Sequence, residues 1–139
     1  MKREIKFRGK CKNSGEWLYG YLFNYELSLT AVTPCINICI PASLEEVYSD
    51  CTVYSDTIGQ YTGLRDNSGK EIYEGDIVTI GNDLKAVVIW FNGSFRFKDE
   101  LSCRATYSED IGAIMRDYDV CIIGNIHDNL ELLKRCANE

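Results

Sequence analysis

No apolar run in this chain of 139 residues approaches the ~20 that a helix needs to cross a bilayer. The opening, Met1-Lys-Arg-Glu-Ile-Lys-Phe-Arg8, is charged and alternating with no apolar stretch behind it, so no export signal is expected. The cytosol is the expected compartment, and a membrane partner is not. Neither GxGxxG nor GxxxxGK(S/T) occurs, which removes the common phosphate-cradling loops and the chemistries that use them. GxSxG and CxxC are missing too. The only histidine is His127, so a serine or cysteine nucleophile has one candidate base. It lies in Gly124-Asn-Ile-His-Asp-Asn129, before a predicted helix, where a solvated or capping histidine is the plainer reading.

Positive charge is also scarce. Fifteen Lys and Arg face twenty-one Asp and Glu, a formal net charge of −6. Sequence-blind DNA binding draws its affinity from cations on phosphates, and this balance opposes it. Two local groups of cations survive within it: Lys2, Arg3, Lys6 and Arg8 near the start, and Arg96 and Lys98 later. Small barrels bind single strands by stacking bases on aromatics beside such cations, so single-stranded nucleic acid stays as an alternative partner.

Cysteine is plentiful by contrast, at positions 11, 35, 39, 51, 103, 121 and 136. An odd number at irregular spacing, with no export signal, reads as reduced thiols, several packed as small hydrophobes. Cys35 and Cys39, with Cys51 nearby, are the pair to test for zinc. Pro34-Cys-Ile-Asn-Ile-Cys-Ile-Pro41 reads as a strand bracketed by prolines, which puts the two Cα atoms roughly 13 Å apart. Thiolates sharing one zinc need Zn–S near ~2.3 Å, so no metal site is assigned. Carboxylates fall in groups at Glu45/Glu46, Glu71/Glu74/Asp76, Asp99/Glu100, Glu109/Asp110 and Asp117/Asp119. Metal-dependent hydrolases use such groups, and the turn Glu71–Asp76 is the candidate centre for that alternative. A solvated turn is the plainer reading, and no catalytic, cofactor-binding or metal residue is assigned.

Nine tyrosines, five phenylalanines and two tryptophans favour strands. In Arg3–Arg8, Ile5 and Phe7 alternate with charges, which predicts a half-buried strand. Lys12-Asn-Ser-Gly15 is turn chemistry, and Trp17, Tyr19, Tyr21 and Phe23 then share one face of a second strand. Residues 1–23 form an expected hairpin. From Leu27 to Ile40 the chain is rich in β-branched residues, and Pro34 predicts an edge strand or a break. Ser43-Leu-Glu-Glu46 has capping-box spacing, compatible with a helical turn or two at 44–48.

Turn clusters at Asp66–Gly69, Glu74–Asp76 and Gly81–Asp83 divide residues 58–98 into short strands. Asn92-Gly93 favours a two-residue type I′ loop. That loop sets Phe91 opposite Ser94, Trp90 opposite Phe95, Ile89 opposite Arg96 and Val88 opposite Phe97. Val88, Trp90, Phe95 and Phe97 then share a wholly apolar face, expected to be core. Residues 108–116 fit a short helix and an irregular loop equally. Val120–Gly124 reads as a final buried strand, and Asp128 as the cap of a terminal helix with Leu130, Leu132 and Leu133 available for docking.

Gln60-Tyr-Thr-Gly-Leu-Arg-Asp-Asn-Ser-Gly-Lys-Glu-Ile-Tyr-Glu-Gly-Asp-Ile-Val78 resembles the signature of the YopX family. So do the close, Ile123-Gly-Asn-Ile-His-Asp-Asn-Leu-Glu-Leu-Leu133, and the opening Arg3–Arg8. Leu130 stands where the family commonly has proline, and residues 24–57 and 99–118 show no family pattern. The resemblance implies a phage or prophage protein with a β-rich, barrel-containing fold and no established activity. Gly63, Gly69 and Gly75 fit turns that need positive φ, and Asp66 and Asp76 fit turn positions that bond nearby backbone N–H groups.

The expected architecture is one domain over residues 1–139, mainly β, in which antiparallel hairpins close into a small barrel-like core with a short C-terminal helix. Aromatics such as Tyr19, Tyr21, Phe91, Tyr107 and Tyr118 are candidates for exposure, since sixteen aromatics are more than one small core is expected to hide. The expected function is a non-enzymatic binding or accessory module in a bacterial host's cytoplasm, with a protein or a second copy of itself as partner. Exposed strand edges lean towards a homo-oligomer.

Overall fold

The computed structural model describes residues 4–26, 32–37, 48–82, 84–99 and 105–133. It divides into two compact units, Met1–Tyr61 and Thr62–Glu139. The expected capping box at 43–46 lies outside the described residues, as do Cys39, Cys103 and Cys136.

In the first unit, strands β1 (Phe7–Lys10) and β2 (Trp17–Glu26) form the predicted hairpin, with Lys10 opposite Trp17. The turn between them is closed by the N–H of Gly15 on the Cys11 carbonyl at 2.9 Å. Strand β3 (Val32–Asn37) carries Pro34 and lies at the edge of the sheet, paired on one side with β2, where Asn24 meets Pro34. Proline has no N–H to give a ladder, and on the outer side of β3 only its carbonyl is used, accepting the N–H of Val53 at 3.1 Å. Strand β4 (Gly59–Arg65) begins beside β1, with Arg8 opposite Gly59, giving the order β3-β2-β1-β4. A single helical turn, α1 (Tyr48–Cys51), precedes Val53, which bridges to Cys11.

The expected burial of Ile5 is not found. Residues 4–6 precede the strand and Ile5 is 51% exposed, whereas Arg8 is buried. The alternation assumed that the cation faces water. Instead the Arg8 guanidinium lies 4.8 Å from the centre of the Trp17 ring, so its charge faces a π-system. The interior of this unit is small: Cys11, Cys35, Ile36, Cys51 and Val53 are all buried.

In the second unit β4 continues, and β5 (Glu71–Tyr73) pairs with it. A second sheet follows, from β6 (Asp76–Ile80), β7 (Leu84–Phe91), β8 (Ser94–Asp99), β9 (Ala105–Thr106) and β10 (Val120–Asn125), in the order β10-β6-β7-β8-β9. Among the described residues neither sheet closes into a barrel. All assigned pairings are antiparallel. The core of the unit gathers Ile72, Val78, Ile80, Ala86, Val88, Phe97, Ile111, Ile114 and Val120. A short helix, α2 (Ile111–Met115), supplies two of them. It starts because the Asp110 carboxylate accepts the N–H of Ala113 at 2.8 Å, an N-cap.

The final strand is half buried rather than buried, since Val120 is enclosed while Cys121 and Ile123 are exposed. Beyond it, among the described residues, the terminal helix is one 3-10 turn, Leu130–Leu133, with Leu130 exposed instead of docked. Its approach is held by two asparagines. The Asn125 side chain accepts the N–H groups of His127 and Asp128, both at 2.9 Å, and Asn129 accepts the N–H of Asn125 at 3.1 Å.

Candidate interaction surface

The β7–β8 hairpin has the register the Asn-Gly turn dictates: Phe91↔Ser94, Trp90↔Phe95, Ile89↔Arg96 and Val88↔Phe97. Asn92 (φ 49°) and Gly93 (φ 81°) both occupy the left-handed region that a type I′ turn demands. Val88 and Phe97 are fully buried, but Trp90, one pair further out on the same face, is 54% exposed. The whole apolar face is therefore not core, contrary to the sequence expectation. The buried cluster that α2 joins includes Val88 and Phe97 but not the Trp90–Phe95 pair. Past that point Trp90 meets Phe95 edge-to-face, ring centres 4.9 Å apart at 74°, and the rest of the indole faces solvent.

The opposite face of the hairpin is also apolar at its end, where Phe91 is exposed and the Arg96 guanidinium lies 5.7 Å from its ring centre. Arg96 is held by donating to the Ser94 hydroxyl at 2.9 Å. Lys85, Arg96 and Lys98 are the charges between positions 84 and 98, with no acid among them.

On the side that α2 covers lies a cleft of about 330 Å3, lined by Tyr107, Ser108, Glu109, Ile114 and Tyr118. Tyr107 and Phe95 both pack against the apolar cluster of this unit. Burial, then the charges of Asp99 and Tyr118, raise the Tyr107 hydroxyl above its ordinary value, so the phenol stays protonated in a negative environment. Tyr118 is 58% exposed, its sequence neighbours Asp117 and Asp119 are exposed, and so are Glu109 and Asp110.

The other candidates have structural roles in view. At the acidic turn, Glu71 accepts from the Tyr73 hydroxyl at 3.1 Å and pairs with Arg65 at 3.3 Å. Asp76, 2% exposed, accepts the N–H of Tyr73 at 2.7 Å. These carboxylates close a turn. Asp66 is still more occupied, as one oxygen accepts from Ser68 N–H, Ser68 hydroxyl and Lys70 N–H, and the other from Ile122 N–H at 2.9 Å. Gly63, Gly69 and Gly75 all have positive φ, as the turn reading required. Much of the signature run is thus explained by backbone geometry.

Among the described residues, no three His, Cys, Asp or Glu side chains gather closely enough to share a metal ion. His127 is exposed. Cys39 lies outside the described residues, and Cys35 lies beside Cys51, with Cys11 close by. Burial, then Cys35, then Cys11 and Asp50, push the Cys51 thiol up to about 12. A thiol that keeps its proton is no nucleophile at neutral pH. Sequence spacing could not have found this trio, because three separate segments bring it together. Likewise among the described residues, no helix is long and apolar enough to cross a membrane.

No curated protein sequence matches this chain. Solved structures similar to it include the crystal structure of protein EF1440 from Enterococcus faecalis, at 21% identity and a TM-score of 0.56, covering 95% of this chain and 99% of that one. At that identity the likeness speaks for the fold. The model of the family described as YopX protein matches residues 6–134, nearly the whole length, and the chain belongs to that family.

Proposed function

We propose that this is a non-enzymatic protein-binding module of phage or prophage origin, working in a bacterial cytoplasm through the outer end of the β7–β8 hairpin. The observation that carries the reading is Trp90, 54% exposed on a strand face whose inner residues are fully buried. Exposing an indole forgoes burial worth about 2–3 kcal/mol, and tryptophan with arginine dominates the energetic centres of protein interfaces. The family and its structural neighbour point to no chemistry, and the carboxylates of the acidic turn are engaged in holding it.

The test is a photo-reactive amino acid placed at position 90, and at exposed Ser55 as control, in cells that make the protein. Protein adducts at 90 in clear excess over 55 are expected. Equal labelling at both positions removes the reading.

One observation favours a second reading. The hairpin carries three cations and no acid between 84 and 98, beside Trp90, Phe91 and Phe95. Aromatics beside cations suit the stacking of single-stranded nucleic acid. The net charge of −6 opposes a polyanion, and so does Glu109 at the cleft. A single-stranded oligonucleotide retained at low salt, released by salt and lost in Trp90→Ala, would move the assignment to this class.

A further inference from the structure

We infer that the partner at this surface is a second copy of the chain, docked head-to-tail, with the Phe91–Arg96 face of one hairpin seated in the Tyr107–Glu109–Tyr118 cleft of the next copy. This rests on the protein-binding reading above and names its partner.

The argument begins with the two faces of the hairpin. Successive residues of a strand point to opposite sides, so Ile89, Phe91, Ser94 and Arg96 lie on one face and Val88, Trp90, Phe95 and Phe97 on the other. The second face is the one α2 covers, because Val88, Phe97 and Ile114 share a cluster. The cleft therefore lies on the side away from Arg96. Each side offers what the other lacks. One presents a guanidinium over an exposed phenyl ring. The other presents two tyrosines and the Glu109 carboxylate around a cleft of about 330 Å3, at the small end of the ~300–1,000 Å3 range of ligand sites. Such a cleft suits one or two side chains. A guanidinium is satisfied by an aromatic face together with a carboxylate, and both are there.

Charge complementarity selects this occupant over a polyanion. Glu109 lines the cleft, and the other exposed charges of the described segment 109–119 are Asp110, Asp117 and Asp119 against Arg116. Phosphates would be repelled there, whereas the cationic hairpin of an identical chain would be drawn in. The geometry also decides the symmetry. Complementary patches on opposite sides of one element cannot both be used in a two-fold dimer of this contact. They make a heterologous contact, which closes into a ring of three or more copies or runs on as a filament.

The test is sedimentation of the full chain over a range of concentrations, with charge reversals at each half of the contact. Wild type should assemble reversibly past the dimer. Arg96→Glu and Glu109→Arg should each weaken association at least about tenfold, with circular dichroism matching the wild type. The double variant R96E/E109R, in which the charges have exchanged sides, should regain most of it. A chain that stays monomeric, one that stops at two copies, or one whose assembly survives both single reversals overturns the inference. The broader reading fails separately: a monomeric chain that still gives protein adducts at position 90 loses its self-partner and keeps its function as a binder.

Discussion

The carboxylate of Asp66 accepts the backbone N–H of Ile122 at 2.9 Å, fastening the turn after β4 to the middle of β10 across 56 positions of sequence. Its other oxygen serves Ser68 and Lys70 in its own turn. One side chain thus sets a local bend and ties it to a distant strand. Asp66→Ala leaves these part-buried donors without their acceptor, at about 1–3 kcal/mol for each that water cannot reach. The urea midpoint should fall, with amide exchange at Ile122 accelerated as the site-specific mark.

The same residue should make stability depend on acid. Burial works to raise its pKa, but hydrogen bonds from Ile122, Lys70 and Ser68 outweigh it and hold the carboxyl below its usual value. A carboxyl depressed by folding contributes stability that is complete above its unfolded pKa, about 3.9, and lost as pH falls through the folded value. Unfolding free energy measured from pH 6 downward should therefore decline below about pH 4 in the wild type. In Asp66→Asn the decline should be shallower, and unchanged steepness would exonerate Asp66.

At the far end of β10, Gly124 is packed so tightly that a Cβ there would lie 2.5 Å from the Asn129 Oδ1. That oxygen accepts the N–H of Asn125, so it cannot retreat freely. Gly124→Ala should cost about 1–3 kcal/mol by overpacking. Asn129→Gly should cost less than that and should absorb most of the damage when combined with G124A. A thermal-melt double-mutant cycle reads this directly, and additive losses would show that the collision is not the cause.

The hairpin shows which parts of the fold were legible. Asn92-Gly93 is local chemistry, and a two-residue turn leaves the strands no freedom of register, so all four cross-strand pairs from Val88 to Ser94 could be read from the sequence. Alternation then assigns each side chain to a face. It says nothing about how far along that face the cover extends. Trp90 lies outside the buried cluster that α2 joins, and α2 comes from a stretch in which periodicity is weak and none of the signature motifs falls. The cleft was invisible for the same reason, since Tyr107, Glu109 and Tyr118 all come from it. Arg8 and the cysteine trio failed differently. Their burial depends on partners contributed by other segments, and no spacing rule reports that.

Truncations along the hairpin face should separate cover from contact. Phe97→Ala removes a fully buried ring and should cost about 3–5 kcal/mol. Trp90→Ala gives up chiefly its edge contact with Phe95, worth about 0.5–1.5 kcal/mol, because more than half of the residue is already in water. Trp90→Ala should accordingly melt close to the wild type while weakening the protein binding ascribed to this indole. A loss of stability equal to that of Phe97→Ala would place the indole in the core after all.

The thiols offer a last check that needs no partner. At pH 8 the Cys51 thiol, pushed to about 12 by burial and by its neighbours Cys35, Cys11 and Asp50, is overwhelmingly protonated, and Cys11 and Cys35 are as deeply enclosed. Cys121 is exposed on β10. Alkylation attacks the thiolate, and only where reagent can reach it. Brief treatment of the native protein with iodoacetamide, followed by peptide mapping, should modify Cys121 and spare Cys11, Cys35 and Cys51. Denaturant should expose all three together, because they share one small interior in the first unit. Native labelling of Cys51 as fast as of Cys121 would mean that this interior opens far more readily than its packing implies.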